Sequence, residues 1–348
     1  MLKFALVGCG RIAQRHADLL GNRHIAQASL SAVCDEVRER AESMGAKYGV
    51  PAYTDMDEMM QKEKVDVVSV LTPSGLHAAH VIRLAKHRKH IIVEKPMALD
   101  LDDADAMIAA CDEAGIKLFV VKQNRYNVPV QKLRQALEAG RFGKLVLGTV
   151  RVRWCRTQDY YDQASWRGTW KMDGGVFANQ ASHHVDLLEW MMGGVESVYA
   201  KGATALVKIE TEDTGVAILK FRNGALGIIE ATTATRPKDL EGSISILGEK
   251  GTVEIGGFAV NEMKVWNFAE PTPEDRDVLE KYKQNPPNVY GFGHQAYLDH
   301  VVEAIVHDRP ALVDGLEGRK SLELILSMYE SIATGREVVC RFKTHKAR

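Results

Sequence analysis

The sequence predicts a doubly wound parallel α/β sheet over residues 1–122. An α+β domain with a large open, mostly antiparallel sheet is predicted over residues 123–348. Three observations carry this. A glycine-rich turn joins a strand to a helix at the start of the chain. Strand and helix signals then alternate as far as residue 122. Beyond it the pattern changes to a series of strand-like runs, many of them separated by glycine turns.

Residues 3–7 (Lys-Phe-Ala-Leu-Val) form a short apolar run of strand character. They lead into Gly8-Cys9-Gly10-Arg11-Ile12-Ala13, which fits G-x-G-x-x-A. A helical stripe follows at Ile12, His16, Leu19 and Leu20, and residues 28–34 read as a second strand ending at Asp35. Each part has a mechanical role in a dinucleotide site. Gly8 permits the tight strand-to-helix turn, Gly10 lets the backbone approach a pyrophosphate, and Ala13 keeps the helix close to the sheet. The helix N-terminus offers unpaired N–H groups and positive dipole to the phosphates. Asp35 suits the ribose hydroxyls and would repel a 2′-phosphate, which favours NAD over NADP. A plain tight turn explains the glycines but not the acid. Cys9 fills a variable position of the turn and needs no chemical role.

The 348-residue length suits two domains. A net charge of -1 argues against a nucleic-acid or polybasic membrane surface. No apolar run reaches the roughly 18 residues that span a bilayer. The first strand begins at once, leaving no room for a signal peptide, so a cytoplasmic protein is expected. The five cysteines are scattered without a C-x-x-C pair, which fits a reducing compartment and no structural zinc.

In the first half, later strands are expected at 65–71, 90–93 and 117–121, with helices near 37–47, 55–61, 76–86 and 101–114. Runs such as Val67-Val68-Ser69-Val70-Leu71 are nearly continuous in apolar residues, as in strands covered on both faces. In the second half, a helix near 129–139 precedes strand-like runs at 145–154, 197–207, 214–221, 225–233, 241–247, 252–255 and 263–268. A helix near 182–192 interrupts them. A polar stretch at 270–288 with four prolines reads as a surface excursion, and two helices near 293–307 and 316–334 close the chain.

Ligands of open α/β sheets bind at the carboxyl ends of the strands. Thr72 and His77 follow the fourth strand and are expected to face the cofactor; the bland alternative for His77 is a helix-start residue packed on the sheet. Glu94-Lys95-Pro96 follows the fifth strand on the same edge, where an ammonium could stabilise a developing alkoxide. Lys122-Gln123-Asn124-Arg125-Tyr126-Asn127 follows the sixth and suits a polar, anionic ligand; the bland alternative is a solvated linker. Asn179, His183 and Asp186 recur at helical spacing. A histidine with a lysine fits acid/base work on an alcohol, and hydride transfer to NAD needs no metal. Trp166-Arg167-Gly168-Thr169-Trp170-Lys171 and the segment containing Tyr290 add aromatic and basic groups. Runs such as Val198-Tyr199-Ala200 and Ala217-Ile218-Leu219 suggest an apolar outer sheet face buried against a second subunit.

Taken together these motifs resemble the Gfo/Idh/MocA oxidoreductases over essentially the whole chain. The marks are the amino-terminal Rossmann turn, Thr72-Pro73-x-x-x-His77, Glu94-Lys95-Pro96, Asn124-Arg125 and His183-x-x-Asp186. The resemblance implies a Rossmann domain, a carboxy-terminal α+β domain, NAD(P), and dimers or tetramers joined through the large sheets. Lys95 matches the family's catalytic lysine and His183 its catalytic histidine. Many members carry an aspartate four residues before that histidine, where this chain has Asn179. Lys95-Pro96 is expected to be cis, an arrangement familiar in the family. The cofactor contacts expected on this basis are Gly8, Gly10, Arg11, Ile12 and Asp35 from the first turn and strand. Thr72, Pro73, His77, Glu94 and Lys95 supply others, with Gln123, Trp166 and Arg167 from the second half. The substrate contacts expected are Lys95, Asn124, Arg125, Asn127, Lys171, Asn179, His183 and Tyr290.

Three local sequences are similar to the nucleotide-sugar branch: Lys122 to Asn127, Asn179 to Asp186, and Asn288-Val289-Tyr290-Gly291-x-Gly293-His294. That branch oxidises UDP-N-acetylglucosaminuronate at C3, on the route to diacetamido-uronic acids of bacterial surface polysaccharide such as O-antigen. In it NADH can stay bound and be reoxidised by a 2-oxo acid such as 2-oxoglutarate. The alternatives are a dehydrogenase of a free sugar or inositol, and a non-catalytic NAD-sensing regulator that would not need Lys95 and His183.

Overall fold

The computed structural model describes residues 1–283 and 292–342, which divide into two compact units. Tyr290 and its neighbours 284–291 lie outside the described residues. Among the described residues, no helix is long and apolar enough to cross a membrane.

The first unit comprises Met1–Val121 and His294–Arg319. Its strands are β1 (Leu2–Val7), β2 (Ala28–Cys34), β3 (Ala52–Tyr53), β4 (Val67–Val70), β5 (His90–Val93) and β6 (Leu118–Val120). They form one sheet in the order β3-β2-β1-β4-β5-β6, with every neighbouring pair parallel. The chain works outward from β1 to β3 and then returns to the other side of β1 at β4. That reversal is the switch point where such sheets bind ligands. Helix starts are marked by short acidic residues: Asp55 accepts from Glu58 N–H and Asp100 from Asp103 N–H. Gly49 and Gly115 end their helices in the left-handed conformation.

Residues 294–319, expected in the second domain, pack in this unit. Phe119 and Asp314 form a β-bridge, and Arg319 reaches Asp105 at 2.8 Å. Gly315 and Gly318 make the close approach possible. A Cβ at either would meet Ile108 at 2.6 Å or Val120 at 2.5 Å.

The second unit comprises Lys122–Gly293 and Lys320–Arg348. Its strands are β7 (Leu145–Arg153), β8 (Val195–Ala203), β9 (Thr214–Phe221), β10 (Leu226–Thr232), β11 (Glu241–Gly248), β12 (Gly251–Gly256), β13 (Glu262–Phe268) and β14 (Val338–Val339). The sheet order is β13-β12-β11-β7-β10-β9-β8-β14. β7 and β10 run parallel; the other described neighbours are antiparallel. Helix Ser182–Met192 lies on one face, so close that a Cβ on Gly148 would strike Met192 and Leu188 at 2.7 and 2.8 Å. The opposite face carries a cross-strand row of apolar side chains. Tyr199, Ile218 and Ile228 are paired neighbours on β8, β9 and β10, and are 37, 60 and 41% exposed.

Candidate functional site

In the first unit the expected cofactor residues gather at the carboxyl ends of the strands. Gly8 adopts φ +97°, and a Cβ there would lie 2.8 Å from the Leu71 carbonyl group, so only glycine fits against the loop after β4. Nothing lies within 4 Å of the place where a Cβ of Gly10 would stand. That open space is what a pyrophosphate needs. Gly10 caps helix Arg11–Gly21 without a side-chain hydrogen bond, and Arg11 and Ile12 open its first turn. Asp35 follows β2 and accepts from Cys9 N–H at 2.7 Å and Val37 N–H at 2.9 Å. A carboxylate has about four acceptor sites, so two remain for ribose hydroxyls. These features fit a dinucleotide. Burial first, then the Asp35 charge, pushes the Cys9 thiol up to about 12, so it is no nucleophile.

Thr72 donates toward or accepts from His80 Nδ1 at 3.0 Å, and Pro73 leads the turn into helix His77–Ala85. His77, expected to face the cofactor, is engaged by protein carbonyls at both ring nitrogens. Its ring nitrogens lie 2.8 Å from the Thr72 and Pro96 carbonyl oxygens, and it is buried. It staples the loop after β4 to the loop after β5. Burial pulls its pKa below the ordinary value, although both carbonyls oppose this. Lys95-Pro96 is cis, as is Arg236-Pro237.

Glu94 is buried beside Lys95. Its Oε2 accepts from the Lys95 N–H at 3.0 Å, and its Oε1 lies 3.3 Å from His16 Nε2 and 4.0 Å from His294 Nε2. Burial would raise the Glu94 pKa. The His16 hydrogen bond and the charges of His16, His294 and Lys95 outweigh it and bring the pKa down to about 2. Among the described residues, His16, Glu94 and His294 form the one group whose spacing could hold a metal ion, with ligand atoms within 4.8 Å of one another. Tetrahedral zinc with bonds of about 2.0–2.1 Å needs tighter spacing than the 4.0 Å pair provides. A buried polar cluster around Glu94 describes the three better.

In the second unit the run from Lys122 to Asn127 is buried apart from half-buried Tyr126, so it is not a solvated linker. Arg125, expected to contact substrate, is held by the protein itself. Arg125 is 1% exposed, its Nε and Nη2 bind the two oxygens of Asp186 at 2.7 and 2.9 Å, and its guanidinium lies over Trp190 at 4.7 Å. Lys122 lies 3.8 Å from the same carboxylate. Asp186 thus anchors helix Ser182–Met192 to the segment after β6. Asn127 donates to the Ala259 carbonyl at 3.1 Å and is buried, which also makes it a packing residue. Gln123 and Asn124 are buried beside them.

His183 stands in the first turn of helix Ser182–Met192, after a π-helical turn at Val176–Gln180 that holds Asn179. Such turns recur at functional sites. Asn179 donates to Asp173, whose other oxygen accepts from the Gly168 N–H at 2.7 Å. The loop with Trp166, Arg167 and exposed Lys171 is thereby tied to the turn beneath His183. Arg167 lies over Tyr160 and Trp166 and donates to the Tyr160 hydroxyl at 2.7 Å. The neighbouring His184 is a core residue: burial brings its pKa down to about 4, and it packs edge-on to Trp154. Sequence reasoning missed Asp173, Glu212 and Tyr329. Their links to this turn span 6, 35 and 151 residues, and no motif marks the longer two.

A switch-point dinucleotide turn, Glu94-Lys95-Pro96 at the fifth strand's end and a histidine helix over an open sheet define an NAD-dependent oxidoreductase. The chain belongs to the Gfo/Idh/MocA family. Residues 2–122 match the oxidoreductase family's NAD-binding Rossmann fold, and residues 134–340 match its C-terminal alpha/beta domain. The fold also resembles that of the WlbA dehydrogenase from Bordetella pertussis in complex with NADH and UDP-GlcNAcA. The two are 44% identical with a TM-score of 0.90, covering 98% of this chain and 99% of that one. The Chromobacterium violaceum WlbA complex with the same ligands is 44% identical with a TM-score of 0.92, over 99% and 97% of the two chains. The myo-inositol 2-dehydrogenase of Thermotoga maritima is 29% identical, over 97% of this chain and 98% of its own.

Proposed function

We propose that the protein oxidises the C3 hydroxyl of a UDP-linked N-acetylglucosaminuronic acid to the 3-keto sugar, with NAD as oxidant. The reading is carried by the near full-length likeness, at 44% identity, to two dehydrogenases whose structures hold NADH and UDP-GlcNAcA. NAD, when bound, supplies the hydride acceptor. His183 takes the hydroxyl proton, and Lys95 offsets the negative charge growing on that oxygen. Lys171, Gln123 and Asn124 serve the anionic and amide groups of the substrate. Arg125 and Asn127 act behind them by holding the backbone. The place of the reaction is the making of diacetamido-uronic acids for surface polysaccharide such as O-antigen. Five free cysteines suit the reducing cytoplasm.

The protein works as a dimer or tetramer. The Tyr199–Ile218–Ile228 row gives a second copy an apolar surface to cover. Bound NADH is returned to NAD by a 2-oxo acid such as 2-oxoglutarate.

The test mixes purified protein and NAD with UDP-N-acetylglucosaminuronate, and separately with myo-inositol, and follows absorbance near 340 nm. A rise with the UDP-sugar alone supports the reading. A rise with inositol alone, together with no binding of UDP, replaces it by a free-polyol dehydrogenase.

A further inference from the structure

The start of a helix leaves four backbone N–H groups without partners in the helix itself. The turn beneath His183 starts at Gly175, whose carbonyl accepts from Asn179 N–H at 2.9 Å. Local side chains do not cap it, because the preceding residues are Gly174 and Gly175. Its N–H groups are met from far along the chain. Gly175 and Ala178 donate to the Tyr329 hydroxyl at 3.1 and 3.2 Å. Val176 donates to the Glu212 carbonyl at 3.0 Å, and Phe177 to Glu212 Oε1 at 3.1 Å. Tyr329 in turn donates to Glu212 Oε1 at 3.0 Å. All four donors are satisfied by two residues that are themselves joined.

The packing is close. A Cβ at Gly175 would stand 1.7 Å from Glu212 Oε2, so the carboxyl occupies the space a side chain would need. Trp170 packs edge-on to the Tyr329 ring at 5.1 Å, and Phe177 lies 6.2 Å from it. Glu212 and Phe177 are buried. A backbone held by four such bonds has little freedom to shift Asn179 or His183.

We propose that Glu212 and Tyr329 are positioning residues of the reaction, fixing the 175–180 turn so that Asn179 and His183 are held in working geometry. This rests on the reading of the protein as a UDP-sugar 3-dehydrogenase with His183 as base. A misplacement of about 1 Å can cost about 100-fold in rate. Both residues bond the backbone of the turn, so their loss acts through it.

The experiment compares Tyr329→Phe, Glu212→Ala and Glu212→Gln with wild type. It uses single-turnover NADH formation from UDP-N-acetylglucosaminuronate, NAD affinity, and amide hydrogen exchange at 175–178. Tyr329→Phe and Glu212→Ala should lose about 10- to 100-fold in the single-turnover rate. Both should keep NAD affinity and show faster exchange at those amides. Glu212→Gln should recover most of the rate, because its amide oxygen can accept the same two bonds. Tyr329→Phe keeps the ring and guards against misfolding of Glu212→Ala. Wild-type rates in Tyr329→Phe and Glu212→Ala overturn the proposal, as does unchanged exchange at 175–178. A wild-type protein that does not oxidise the UDP-sugar is a different result: it overturns the functional reading, and the positioning role falls with it.

Discussion

Asp35 accepts a hydrogen bond from the Cys9 N–H at 2.7 Å, so the acid expected to choose the cofactor also braces the glycine turn that would hold its pyrophosphate. Two roles in one side chain give one substitution two effects. Asp35→Ser should weaken NAD binding about tenfold or more, since hydrogen bonds to a charged group are worth about 1.5–3 kcal/mol. It should also narrow the gap between NAD and NADP by removing the repulsion. Titration of both cofactors by fluorescence measures the two effects. Equal affinity of the wild type for NADP and NAD would remove the argument from Asp35.

The proposed acid/base pair gives a second expectation. Removing a positioned acid/base group costs about 10²–10⁴ in rate. His183→Ala and Lys95→Met should each lose that much in single-turnover NADH formation while still binding NAD. A His183→Ala enzyme with a normal hydride step would move the base role to Lys95 or elsewhere.

Much of the first unit was legible because its signals are local. The turn at Gly8, the strand ending at Asp35 and the apolar runs at β4 and β5 each declare themselves within a few residues. The two-residue β3 has no run long enough to show, and nothing in the helical pattern of residues 294–319 says that they pack in the first unit. The site was half legible. Motif position singled out Lys95 and His183 as candidates, but not what their neighbours bind. Arg125 reads as an anion-binding residue until Asp186, 61 residues on, takes the Nε and Nη2 edge of its guanidinium. Asp173 and the Glu212–Tyr329 pair act through tertiary contacts that no short window contains.

The Arg125–Asp186 pair carries its own expectation. Breaking a buried ion pair by removing one partner costs about 3–5 kcal/mol, because the other charge is stranded. Asp186→Ala would leave Arg125 and Lys122 without that carboxylate. Its thermal unfolding midpoint should fall by about 10 °C. A fall of under about 2 °C would show that the pair adds little.

The exposed apolar row predicts the effect of one charge. Fully burying an isoleucine contributes about 1.5–3 kcal/mol, and a lysine ammonium there would have to be desolvated. Ile218→Lys should shift the protein toward monomer in light scattering at micromolar concentration, with unchanged NAD affinity. A monomeric wild type would contradict the proposed interface.

The last expectation concerns pH. Burial first, then the neighbouring Asp213, pushes the Glu212 carboxyl up to about 7, against the pull of the Phe177 N–H and the Tyr329 hydroxyl. An unfolded glutamate titrates near 4.3. Between these two values the folded protein keeps a proton that the unfolded chain has lost, so stability falls as pH rises through this window. The loss at Glu212 amounts to about 3 kcal/mol by pH 8. Glu212→Gln cannot ionise and should not lose it. The variant's unfolding midpoint relative to wild type should therefore rise steadily from pH 5 to pH 8. His184, whose pKa burial brings down to about 4, works in the opposite direction. Its contribution is lost as pH falls from about 6.5 toward 4, equally in wild type and variant, and cancels in the comparison. A midpoint difference that is flat across pH 5–8 would mean that Glu212 is ionised throughout this range in the folded protein.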